Sequence, residues 1–217
     1  MAEEKKNMPT VDDQYQRLIE ARNFHYENLN KWLTFFYVAI AAIFAGYCTL
    51  RSAKDGNPNL EIIVMAVLYL VSLCAYLSCK GYYYWENQWI MLLHNFEKKH
   101  LKDKEGKNVR VYSVFANKKL LDNTAHPVKG ANISTTKVAL LMTLLMTILW
   151  GAMLIFGILK ENQICLPENE SCAVIFSLLG SILGTFALVI LGKFALESNL
   201  KGLDDLNLTD DDNKEEK

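Results

Sequence analysis

The chain has 217 residues, 51% of them apolar and 22% charged, with a formal net charge of −1. Such averages would suit one soluble domain, but the way the apolar residues are segregated excludes it. Four stretches without a charged side chain, Trp32–Leu50, Ile62–Cys79, Val138–Leu159 and Ser171–Gly192, hold 19, 18, 22 and 22 residues. A hydrocarbon core of roughly 30 Å takes about 20 apolar helical residues to cross, and the rest of the chain is too short and too polar to wrap four such helices. The expected fold class is an all-α integral membrane protein with four transmembrane helices and a cytosolic helical hairpin extension.

Residues 1–31 read as an N-terminal amphipathic helix on the cytosolic side. Thr10 with Asp13 three residues on forms a capping-box pattern. Tyr15, Leu18, Arg22, Tyr26, Leu29 and Leu33 then follow at spacings of 3, 4, 4, 3 and 4, one face of a helix running unbroken into the first span, 32–50. About thirty polar residues precede that span, so it is not expected to be a cleaved signal peptide. Arg22 interrupts the stripe; it can snorkel to water, pair with Glu86 or Glu97, or reach a ligand.

An outer loop, 51–61, leads to the second span, 62–79, where Cys74 and Cys79 are expected to be small packing residues. "KGYYYWENQW" (80–89) follows at once. Tyr and Trp rings favour the membrane interface, because one end is apolar and the other hydrogen-bonds. Tyr82, Trp85, Trp89, Leu92 or Leu93, and Phe96 continue at helical spacing. One helix from about Ile62 to Lys99 is expected, roughly 57 Å long at 1.5 Å per residue. Its amphipathic half needs a partner, and the N-terminal helix offers a matching stripe. His25 and His94 lie beside the two stripes, so Arg22, His25, Glu86 and His94 form a candidate cytosolic polar cluster.

Residues 80–137 make up a cytosolic helix and basic loop. "VRVYSVF" (109–115) reads as a short strand or an interfacial segment, and the basic residues around it suit anionic lipid better than nucleic acid. Ser134 is placed to cap the third span, 138–159. The outer loop 160–172 holds Cys165 and Cys172, a candidate disulfide in an oxidising compartment, with two free thiols as the alternative. In the fourth span, 173–192, "GSILG" offers Gly180 and Gly184 for close helix packing. Residues 193–217 read as a mobile acidic tail on the cytosolic side.

Lys and Arg set the orientation. The N-terminal segment, the 80–137 segment and the tail carry twenty of them and the two outer loops three, which places both termini inside.

No nucleophile elbow, phosphate-binding loop, dinucleotide fingerprint or HExxH occurs, so neither an enzyme nor a cofactor is expected, and no metal-ligand spacing occurs. The arginine–histidine spacing of helical ribonucleases is also missing, Arg22 lying too close to His25 and Arg17 too far. The spans lack Asp, Glu, Lys, Arg and His, which argues against an ion-coupled carrier. A pore lined by Ser, Thr and backbone groups of several copies stays open.

The stretches "EARNFHYENLNKWLTFFYVAI", "CKGYYYWENQW" and "VFANKK…GANISTTKVAL" resemble a group of small bacterial multi-span proteins. That group takes in accessory membrane proteins encoded beside RNA-targeting type VI-B CRISPR effectors and other antiviral systems. The resemblance covers most of residues 12 to 160. It implies a bacterial inner-membrane accessory or effector that acts with a cytosolic nuclease or sensor by perturbing the membrane, and a homo-oligomer in the lipid bilayer is the expected form. The alternatives are a constitutive channel or transport subunit for a small solute, and a scaffold recruiting a cytosolic partner.

Overall fold

The computed structural model of the chain describes residues 10–53, 57–102, 104–106, 134–162 and 170–196. Four helices account for nearly all of them: α1 (Val11–Ser52), α2 (Pro58–His100), α3 (Thr135–Glu161) and α4 (Glu170–Leu196). Each is long and apolar enough to cross a membrane, and no strand occurs among the described residues. The 109–115 segment, Cys165 and most of the acidic tail lie outside the described residues.

Local chemistry sets the helix starts. Thr10 and Asp13 close a reciprocal capping box: the Thr10 N–H donates to Asp13 Oδ2 at 3.0 Å and the Asp13 N–H to Thr10 Oγ1 at 3.2 Å. Asn57 accepts the backbone N–H groups of Asn59 and Leu60 at 3.0 and 3.4 Å. Pro58 follows it as the first helical residue, where its missing N–H costs nothing. Ser134 accepts from the Lys137 N–H at 3.3 Å. At the end of α2, Lys98, Lys99 and His100 complement the negative end of the helix dipole.

With 42 and 43 residues, α1 and α2 are each about twice as long as a crossing needs. Both pass from one compact unit of the chain into the other. The first unit comprises Met1–Glu27, Tyr84–Asn132 and Ser198–Lys217, and the second Asn28–Tyr83 and Ile133–Glu197.

The second unit has an apolar core of Ile40, Tyr47, Met65, Leu68 and Trp150, with Phe44 stacked obliquely on Trp150 at 5.4 Å. The inward stripe of α1 continues through Leu33, Phe36, Ile40, Ile43, Tyr47 and Leu50, alternating steps of three and four. That period of about 3.5 residues keeps one helix face against its neighbours along the whole span. Cys79 is buried as expected of a packing residue, whereas Cys74 faces outward, five positions away on the opposite side of α2.

Candidate functional site

In the first unit the two amphipathic segments meet through an aromatic and acidic contact. Tyr15 stacks on Phe96 with ring centroids 5.8 Å apart, and its hydroxyl donates to Glu97 Oε1 at 2.6 Å. Glu97 is fully buried, next to the buried Leu93 one turn before it. The paired stripes read from the sequence contain Tyr15 and Phe96, but Glu97 enters that reading only as a carboxylate for Arg22. The step of four from Leu93 to Glu97 was the signal that places it inside.

Of the candidate cluster, Arg22, His25, Glu86 and His94 are all half-buried. The Arg22 Nη1 donates to Asn23 Oδ1 at 3.3 Å, and its guanidinium lies 6.0 Å from the Tyr26 ring. Oε2 of Glu86 is buried and has no hydrogen-bond partner.

The "KGYYYW" rings divide between the units. Tyr83, in the second, lies 5.9 Å from Lys137 Nζ, a cation–π contact beside the start of α3. Tyr84 and Trp85, in the first, pack edge to face at 5.6 Å.

Inside the second unit the buried polar side-chain groups are hydroxyls and the Trp150 indole N–H, which has no hydrogen-bond partner. Ser72, Thr143, Thr147, Ser177, Ser181 and Thr185 are all nearly or fully buried. Lipid offers no hydrogen bonds, so hydroxyls rely on partners within the protein, and of these six Ser72 Oγ is the one without such a partner. Thr147 bonds the Thr143 carbonyl at 2.8 Å and Ser177 the Ala173 carbonyl at 2.8 Å, each on its own helix. Two bonds cross between helices: Ser181 Oγ donates to the Ile148 carbonyl at 2.7 Å, and the Tyr69 and Thr185 hydroxyls pair at 3.2 Å. α2, α3 and α4 are thereby stitched together within one protomer.

Gly151 makes that approach feasible. A Cβ there would fall on Ser181 Oγ and come within 2.9 Å of the Tyr69 ring. At Gly180 a Cβ would meet Ile155 at 3.3 Å, while at Gly184 it would meet nothing within 4 Å. The glycine that α3 and α4 depend on is therefore Gly151, with Gly180 a lesser contact and Gly184 facing outward. Cys172, one half of the expected disulfide, is half-buried in the first turn of α4. Its expected partner lies outside the described residues.

The outward faces of the spans differ in kind. α4 exposes bulky side chains, among them Phe176, Leu179, Leu183, Phe186 and Phe194. α1 is the least buried span, and its outward surface over 41–49 is mostly small: Ala41, Ala42, Ala45, Gly46, Cys48 and Thr49, with Phe44 the large exception. A Cβ on Gly46 would meet nothing within 4 Å. Among the described residues no group of His, Cys, Asp and Glu is arranged to hold a metal ion.

Residues 12–159 match the Octameric membrane protein family (8xMP), and the chain belongs to it. The match takes in α1, α2 and nearly all of α3, and stops before α4. No curated protein and no solved structure matches the chain.

Proposed function

Starting from membership of that family, we propose that the chain is a non-enzymatic inner-membrane accessory or effector protein of an antiviral defence system, of the kind found beside type VI-B CRISPR effectors. It works as a homo-octamer with both termini in the cytoplasm and perturbs or permeabilises the membrane when a cytosolic partner signals. The observation that carries the reading is the family match over 12–159, a segment that contains the stretches behind the resemblance to defence-associated membrane proteins. The family's description supplies the octamer.

The contrast between α1 and α4 supports an arrangement for the copies. Small side chains let helix backbones approach closely in a bilayer, whereas bulky apolar side chains sit equally well in lipid. The small face of α1 therefore turns toward neighbouring copies, and the Leu- and Phe-rich face of α4 toward lipid. Past their first residues, Thr135 and Ser171, the Ser and Thr hydroxyls of α3 and α4 are buried within the protomer, which leaves them unsuited to line a shared pore. Within the charge-free runs the exposed threonines are Thr34 and Thr49, both on α1. A pore made by several copies would take its polar lining from α1.

Expression in bacteria with a potential-sensitive dye tests the function. Depolarisation that needs the neighbouring genes or their trigger is the expected result. Depolarisation by the protein alone would instead indicate a constitutive channel. Unchanged potential with a cytosolic partner captured at the membrane would indicate a scaffold.

A further inference from the structure

Within the second unit, the ends of α1, α2 and α3 enclose a pocket of about 630 Å³. That volume is typical of small-molecule sites, which run from roughly 300 to 1,000 Å³. Its charged lining consists of Arg51, Glu61, Lys160 and Glu161, and its apolar wall includes Met65, Met153 and Phe156. Three of the four charge-free runs end at this rim: Arg51 follows Leu50, Glu61 precedes Ile62, and Lys160 follows Leu159. The pocket therefore straddles the level where the spans leave the hydrocarbon. A ligand that fits has a charged head on an apolar body.

The charges narrow the head group. Arg51 is held in place, its Nη1 donating to the Tyr47 hydroxyl at 2.9 Å and lying 3.7 Å from Glu61 Oε2. Its side chain is still 62% exposed, so donors of the five-donor guanidinium remain open. The Lys160 and Glu161 side chains are exposed and make no hydrogen bond or ion pair among the described residues. Two cations and two carboxylates balance. A purely anionic head would face both carboxylates, and a purely cationic one both basic groups. A phosphate joined to an ammonium matches all four. Carboxylates also favour a primary ammonium, which donates three hydrogen bonds, over a quaternary one, which donates none.

We propose that this pocket binds one zwitterionic phospholipid whose head is a phosphate diester carrying a primary amine. Arg51 and Lys160 take the phosphate, Glu61 and Glu161 the ammonium, and the upper acyl chains lie along Met65, Met153 and Phe156. Gly157 lies on the same wall, where its missing Cβ lets the Met65 methyl sit close against α3.

Native mass spectrometry of the full chain in detergent, titrated with ethanolamine, choline and glycerol phospholipids, tests this. Ethanolamine lipid should be retained in preference to both others. Lys160→Ala should weaken its retention about tenfold, the effect of one charge-assisted hydrogen bond, and Glu161→Gln should narrow the preference for ethanolamine over glycerol lipid. Both positions are exposed, and the same spectra report the mass of the assembly. Equal retention of the three lipids, or binding unchanged by Lys160→Ala, would overturn the assignment. So would glycerophosphoethanolamine competing as well as the lipid does, since the ligand would then be a soluble phosphate ester.

Discussion

The Tyr15 hydroxyl donates a 2.6 Å hydrogen bond to Glu97, a carboxylate with no exposed surface, across 82 residues of sequence. Burying a carboxylate is costly unless donors surround it, and removing a donor costs more than the bond contributes net. Tyr15→Phe keeps the stacking on Phe96 and deletes only the hydroxyl. It should destabilise the contact between the two segments by about 1–3 kcal/mol. Hydrogen exchange over 84–100 should rise while exchange in the second unit stays the same. Unchanged protection at 84–100 would show that Glu97 is satisfied without Tyr15.

The capping box predicts a pH dependence confined to the start of α1. The Thr10 side-chain hydroxyl and then its backbone N–H, with a smaller contribution from Arg17, hold the Asp13 carboxyl below its ordinary value. A depressed folded-state value contributes stability that is present above the unfolded pKa, about 3.9, and is lost as pH falls through the folded one. Protection of the amides at 10–14, taken relative to their intrinsic exchange rate at each pH, should therefore fall below about pH 4, and Asp13→Asn should remove that dependence. A pH response that survives the substitution would count against the capping carboxylate.

At Gly151 there is no room for a methyl group between α3, Ser181 and Tyr69. Gly151→Ala should cost about 1–3 kcal/mol through overpacking, seen as a lower unfolding temperature in detergent. Ser181→Ala should cost less, on the order of 0.6 kcal/mol, as membrane-buried hydrogen bonds do on average. The reverse ranking would mean that the hydroxyl rather than the close approach holds α3 to α4.

Gly46 and Gly184 form a matched pair, since a side chain at either meets nothing in its own protomer. Gly46→Leu should leave each protomer folded but block the approach of copies, giving smaller assemblies by light scattering and no depolarisation. Gly184→Leu should keep both assembly and activity. An intact assembly with Gly46→Leu, or a broken one with Gly184→Leu, would reverse the assignment of neighbour-facing and lipid-facing helices.

Much of this protein was determined by the sequence alone. Length and charge exclusion fix the four apolar helices, because the bilayer sets a nearly constant length and tolerates no unpaired polar backbone. The capping residues Thr10, Asp13 and Ser134, and the stripe beginning at Tyr15, were equally legible, since caps and periodicity act within a few residues. Tertiary structure decided which members of those patterns meet. Glu97 sits in a stripe by spacing, but the hydroxyl that meets it there comes from Tyr15, far away in sequence. "GSILG" and Gly151 look alike as small residues, and only the crossing of α3 with α4 shows that Gly151 touches Ser181 while Gly184 points outward. The Arg51, Glu61, Lys160 and Glu161 rim belongs to three helices, so no local pattern could assemble it. Local rules act over one or two helical turns. Contact between side chains on different helices depends on how the helices cross, which is written in no single segment.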